Sequence, residues 1–325
     1  MGYVNALDNT EYILPENGAL ELIIQANKDQ DKPYFLILDE MNLSNVERYF
    51  ADFLSVMESN DTFKLHSSGV DLNIETIENG ITKYANTIEV PNNIGWPKNL
   101  FVVGTVNIDE TTYMFSPKVL DRANVIEFRV SEDDLKAYFD SEIPFNMDNL
   151  YIDKSKTGKG ATMGMDLVKK AVDKTESRDN VLEITLKLFF SKLQEVGAEF
   201  GYRTASEIQV LFGQINKINS NLDIEELKKS GHQSLATFKI DVAIMQKLLP
   251  KLHGSRSKLA DILKALAILC YCSDSVKDES LSEENKKYIL ERENHATVLY
   301  PISLEKIERM YKNVIQNGFT SYAEA

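Results

Sequence analysis

The sequence predicts an α/β region followed by an all-α region, and three observations carry that prediction. Phe35, Leu36, Ile37 and Leu38 form an unbroken apolar run that ends on Asp39 and Glu40, the pattern of a buried parallel strand. A second run, residues 100–103, leads through Gly104, Thr105 and Val106 to Asn107, and a third occupies residues 124–128. Beyond Phe128 the period changes: Leu182, Leu186, Phe189 and Leu193 recur at helical spacing. The expected division is an α/β part over residues 1–130 and a helical part over residues 131–325.

Taken in order, residues 2–17 are polar with scattered aromatics and read as an irregular lead-in. Pro15, Glu16, Asn17 and Gly18 form a turn before a helix marked by Leu20, Leu22, Ile23 and Ala26. Pro33 suits the start of the first strand. After Glu40, Asn42 reads as the N-cap of a helix whose apolar face holds Leu43, Val46, Phe50, Phe53, Leu54 and Met57. Residues 60–97 read as an insertion, with residues 62–65 pairing residues 87–90 around a polar loop over residues 67–83. Trp96 reads as a packing anchor. Ser116 and Pro117 open a short helix that Arg122 ends. The spacing predicts further helices over residues 181–196, 203–215, 240–250, 259–270 and 304–315. Residues 141–161 read as a long loop and residues 273–285 as an acidic linker.

Open parallel sheets bind ligands at the C-terminal ends of their strands, which gives Asp39 and Glu40 chemical meaning. A strand ending in paired acids is the physical form of a Walker B site. There Asp39 would hold Mg²⁺, directly or through water, and Glu40 would polarise the water that attacks a γ-phosphate. A solvated acidic turn is the competing reading. A parallel neighbour would bring Asn107 beside Glu40, where its amide would orient the same water. For Asn42, contact with that water stands beside the capping reading.

Strand with acids, strand with Asn, short helix with Arg, strand: this order resembles the second half of an AAA+ ATPase core. Residues 35–44, 46–54, 103–107 and 120–124 are similar to the McrB-type branch, the nucleotide-driven motors of modification-dependent restriction systems. The resemblance covers residues 2–128 and, more loosely, residues 200–262. It implies an incomplete AAA+ core with a parallel sheet, then an all-α lid. It implies Asp39 at Mg²⁺, Glu40 as catalytic base, Asn107 as sensor 1, Arg122 as a finger reaching a neighbouring subunit, and Arg203 of the Phe-Gly-Tyr-Arg stretch as sensor 2. The implied cofactors are Mg²⁺ with GTP or ATP. The implied partners are further copies in a ring, a Walker A segment encoded upstream, and an McrC-like nuclease. The family's Asp two residues beyond the sensor Asn is replaced by Glu110, with Asp109 before it, so the base preference stays open. For Arg122 an ion pair with Asp121 or Glu127 is the alternative, and for Arg203 an ordinary surface position.

No G-x-x-x-x-G-K-[ST] segment occurs in the 325 residues; residues 157–162 have the wrong spacing and read as a loop. The expectation is therefore the C-terminal portion of such a motor, inactive alone. The alternative is a non-catalytic assembly subunit that binds no nucleotide. The formal charge of −14 opposes nucleic-acid binding by this chain. The two cysteines, Cys270 and Cys272, lie on different faces of a helical pattern and suggest buried thiols of a cytoplasmic protein. No apolar run suits a bilayer span. His253 has no second ligand at metal spacing. Lys251, His253, Arg256 and Lys258 form a basic turn.

Overall fold

The computed structural model describes residues 3–4, 11–14, 18–59, 61–66, 72–78, 81–83, 89–107, 117–120, 122–130, 132–140, 179–218, 230–271, 298–323 and 325. The chain is mixed α/β and divides into two compact units. The first contains Met1–Tyr113 and the second Met114–Pro144 and Lys174–Ala325.

In the first unit, strands β1 (Tyr3–Val4) and β2 (Glu11–Leu14) precede helix α1 (Ala19–Lys28) and strand β3 (Tyr34–Leu38). Short helices α2 (Val46–Tyr49) and α3 (Ala51–Ser59) follow, then strands β4 (Thr62–Lys64), β5 (Leu72–Glu78), β6 (Ile81–Lys83), β7 (Glu89–Val90), β8 (Asn93–Gly95) and β9 (Leu100–Gly104). β3 and β9 pair in parallel, Leu38 opposite Gly104. β4 pairs antiparallel with β8. β2 lies parallel to β5, which carries β6 and β7 antiparallel, and β1 pairs antiparallel with β2.

The core of this unit is the inward face of α1 (Leu20, Ile23, Ile24, Ala26) against Phe63, Ile94 and Leu100. Trp96 packs on it and meets Phe53 edge-on at 6.1 Å, as its anchoring role predicts. Asn99 is the polar fastener. Its buried amide donates to the carbonyls of Ala26, Asp29 and Lys32 at 2.8–3.0 Å, which ties the turn after α1 to the start of β9.

Several expectations are corrected here. The lead-in contains two strands. Residues 62–64 pair with residues 93–95, because β7 is taken by β5, and the supposed polar loop supplies β5 and β6. β3 is not buried on both sides: Phe35 is 54% and Ile37 66% exposed. Leu43 and Met57 also face solvent, while Val46 and Phe50 are buried.

The second unit is helical: α4 (Pro117–Leu120), α5 (Glu132–Asp140), α6 (Asn180–Gln194), α7 (Tyr202–Ile218), α8 (Leu235–Ala243), α9 (Arg256–Leu269) and α10 (Pro301–Asn317). Strands β10 (His253–Ser255) and β11 (Phe319–Ser321) close it antiparallel. Its core runs through Leu182, Phe189, Phe212, Leu248, Leu263 and Ile307, all at most 1% exposed. Asp179 caps α6 with bonds from the Val181 and Leu182 amides, and Ser234 and Thr237 form a capping box on α8. Asp241 is fully buried. It accepts from the Ile302 and Ser303 amides at the start of α10 and bonds His232 Nε2 at 2.8 Å, so its desolvation is offset on every side.

The expected helix over residues 240–250 is broken. α8 passes into a π-helical turn (Ile244–Leu248) and a 3₁₀ turn (Leu249–Lys251) that contains Pro250. Residues 124–128 form no strand and belong to the second unit: the Val125 amide donates to the Gln246 carbonyl at 3.4 Å. Cys270 is buried. Cys272, Asp109, Glu110, Asp121 and the segments 141–161 and 273–285 lie outside the described residues. No described helix is long and apolar enough to cross a membrane.

Candidate functional site

The chemistry gathers at the C-terminal ends of β3 and β9. The ladder continues past both strands: the Thr105 amide donates to the Leu38 carbonyl at 3.0 Å and the Met41 amide to the Thr105 carbonyl at 2.9 Å. Between these bonds the chain turns sharply. Glu40 has φ 48° and ψ 47°, and it is the one non-glycine residue with positive φ among the described residues. This conformation costs a non-glycine residue roughly 1–2 kcal/mol, and residues held so are concentrated at functional sites.

Thr105 holds the turn. Its hydroxyl donates to Asp39 Oδ1 and accepts the Glu40 amide at 2.8 Å. One side chain thus fixes both the carboxylate of the first acid and the backbone of the second. Asn107 Nδ2 donates to Glu40 Oε1 at 3.0 Å, the neighbourhood that parallel pairing predicts. Asn42 donates through Nδ2 to the Asn107 carbonyl at 2.8 Å. It sits inside a 3₁₀ turn (Met41–Leu43) and is buried, so the capping reading is corrected: Asn42 braces Asn107. Its Oδ1 is buried without a hydrogen-bond partner among the described residues. Tyr49 donates to the Met41 carbonyl at 2.9 Å, and partial burial raises its pKa. A Cβ at Gly104 would lie 2.5 Å from Met41 Sδ, so the flexible Met41 side chain would have to shift to admit one.

Asp39, Glu40, Thr105 and Asn107 are all solvent-exposed, so a ligand has direct access to them. Among the described residues no three His, Cys, Asp or Glu side chains cluster as a metal cage. Mg²⁺ does not need one, because it keeps several waters and takes one or two carboxylates plus substrate phosphates. The Asp39 carboxylate, held by Thr105, fits that demand.

The two arginines lie in the second unit. Arg122 lies two residues past the end of α4, its amide donating to the Val119 carbonyl at 3.0 Å. The alternative partner Glu127 is engaged elsewhere, by Arg309 at 2.8 and 3.1 Å and by Lys306 at 3.2 Å. Arg203 is the second residue of α7, and its Nε stands 3.7 Å from Glu207 one turn on. That acid offsets the misfit of a cation at a helix start. In the basic turn, Lys251 donates to Thr204 and His253 bonds the Lys251 carbonyl, consistent with a structural junction.

Sequence reasoning missed Thr105 and Asn99. Thr105 lies between Gly104 and Asn107 in a stretch already singled out, and a hydroxyl one residue past a strand that faces paired acids is the signal that could have found it. A family described as a domain of unknown function (DUF8727) matches residues 161–319. The match contains Arg203 but not Asp39, Glu40, Asn107 or Arg122. No curated protein and no solved structure matches the chain.

Proposed function

We propose that this chain supplies the hydrolytic residues of an NTPase, in the manner of an McrB-like AAA+ motor that turns over GTP or ATP in a ring and drives a nuclease partner against foreign DNA. The observation that carries the reading is the Asn107–Glu40 bond at the ends of adjacent parallel strands, beside an Asp39 carboxylate oriented by Thr105. In this reading Glu40 accepts the proton of the attacking water, and Asn107 orients both Glu40 and that water. Asp39 would hold Mg²⁺, which would supply charge neutralisation at the phosphates. Arg122 faces the developing charge in a neighbouring subunit's site, and Arg203 contacts phosphate. The phosphate-cradling loop comes from a segment other than these 325 residues, which hold no such motif. Residues 124–128 depart from the AAA+ pattern, since they form no third strand.

The test is hydrolysis of Mg²⁺-GTP and Mg²⁺-ATP by the natural assembly purified through this chain. Glu40→Gln should lower turnover by about 10²–10⁴-fold, the range for loss of a general base, while bound nucleotide is retained. Turnover that survives Glu40→Gln unchanged sinks the reading.

A second reading, a non-catalytic assembly subunit, is favoured by one observation: the exposed apolar face of β3 and β9, where Phe35 and Phe101 stack at 5.4 Å. Such a face suits a packing partner.

A further inference from the structure

Arg122 and Arg203 lie 81 positions apart in sequence, yet a continuous set of contacts joins them inside the second unit. It begins with Pro250. Proline has no N–H, so the carbonyl four residues earlier, Gln246, loses its α-helical donor. The backbone widens there into the π turn, a feature frequent at functional sites. The Val125 amide supplies the missing donor to the Gln246 carbonyl. The next residue, Lys247, is buried (3% exposed), and two contacts of its ammonium bear on the arginines. One is to the Ala123 carbonyl at 3.1 Å, adjacent to Arg122. The other is to Glu207 Oε2 at 2.6 Å. The second oxygen of Glu207 faces Arg203 at 3.7 Å. Farther along, Glu127 is clamped by Arg309 and Lys306 of α10.

We infer that Glu207 and Lys247 are positioning residues that couple the two arginines. Lys247 fastens the Arg122 segment to the π turn, and Glu207 is shared between Lys247 and Arg203. Any anion that draws the Arg203 guanidinium away leaves Glu207 wholly to Lys247, and the change reaches Ala123 through one ammonium. The segment after Arg122 would have no such anchor against a regular α-helix, where the Gln246 carbonyl would already be used. As a statement about turnover, the coupling rests on the nucleotide reading above; as a statement about the chain, it does not.

Two measurements test it. The first is amide hydrogen exchange of the full chain at residues 122–125. Lys247→Met should raise exchange there about tenfold, by local opening. Arg203→Gln should also change it, though Arg203 does not touch those residues in the contacts above. Exchange at residues 122–125 that ignores Arg203→Gln overturns the coupling. The second measurement is turnover in the natural assembly. Lys247→Met should lower kcat by about 10²-fold, the cost of a misplaced group, with KM unchanged and with recovery in Lys247→Arg. In the double variant with Arg122→Ala the two losses should not multiply. Multiplicative losses, or a silent Arg122→Ala, overturn the positioning role while Glu40→Gln still reports on the nucleotide reading. If Glu40→Gln is silent as well, the nucleotide reading falls and the exchange experiment alone decides the coupling.

Discussion

The β3–β9 pair and the core of the second unit treat their large apolar residues in opposite ways. In the second, Phe189, Phe212, Leu248 and Ile307 are essentially sealed, and even the charged Asp241 and Lys247 are buried with partners. In the first, Phe35, Ile37 and Val103 stand exposed on one face of a two-stranded parallel sheet, an arrangement that normally has both faces covered. The helical unit carries its stability in side-chain packing. The β3–β9 pair is held by its ladder, by Asn99 and by its inner face, where Leu100, Tyr34 and Leu36 pack in the core with α1; its outer apolar face contributes little until something covers it. The candidate hydrolytic residues sit on the second kind of scaffold.

The sharpest way to break this comparison is a matched pair of truncations. Phe189→Ala should destabilise the helical unit by about 3–5 kcal/mol, the cost of emptying a sealed aromatic site. Phe35→Ala should cost no more than about 0.5 kcal/mol, as for an exposed position. Equilibrium urea unfolding of both variants checks this. A Phe35→Ala loss that rivals Phe189→Ala would mean that the sheet face is covered in the protein in solution.

A smaller effect is expected at Thr105. Thr105→Val keeps the shape and removes the hydroxyl that serves both Asp39 and the Glu40 amide. Each such bond contributes about 0.5–1.5 kcal/mol net. The first unit should lose roughly that amount, and Glu40 should leave its left-handed conformation. Urea unfolding gives the energy, and the Glu40 amide and carboxylate resonances report the geometry. Unchanged Glu40 resonances would show that the ladder alone holds the turn.

How much of this was legible depends on where each residue's partner lies. The β3–β9 pair could be read because two apolar runs of strand length each end in polar groups, and parallel register then places Asn107 beside Glu40. The helical unit could be read from its period. Residues 124–128 could not: they have strand composition, but Pro250 frees a carbonyl for Val125 and Arg309 captures Glu127, so tertiary partners override propensity. Thr105 and Asn99 carry no period, and their roles exist only once two distant segments meet. Asn42 looked like a cap because caps are read from local sequence, whereas its partner is Asn107.

The finest test of the sealed interior is Tyr322. Burial first, then the charge of Glu127, holds its hydroxyl protonated well above the usual phenol range. Burial likewise raises Tyr300 and Cys270. A group whose folded pKa is raised contributes stability fully present below its unfolded pKa and lost as pH climbs towards the folded value. For Tyr322 and Tyr300 that loss begins near the ordinary value of 10.0, and for Cys270 near 9.0. Tyr322→Phe deletes one such group and keeps the ring under the Lys306 ammonium, 4.3 Å away. Because the Tyr322 hydroxyl is buried without a hydrogen-bond partner among the described residues, the variant should match or exceed the natural chain at neutral pH by a few tenths of a kcal/mol. Above about pH 10 its advantage should widen. Lys306 and Lys239, whose pKa values burial lowers, act with the opposite sign but are present in both chains, so they largely cancel in the difference. Urea midpoints of the two proteins, compared at neutral and alkaline pH, check it. Parallel alkaline limbs would mean that water reaches Tyr322 and that this end of the helical unit is open after all.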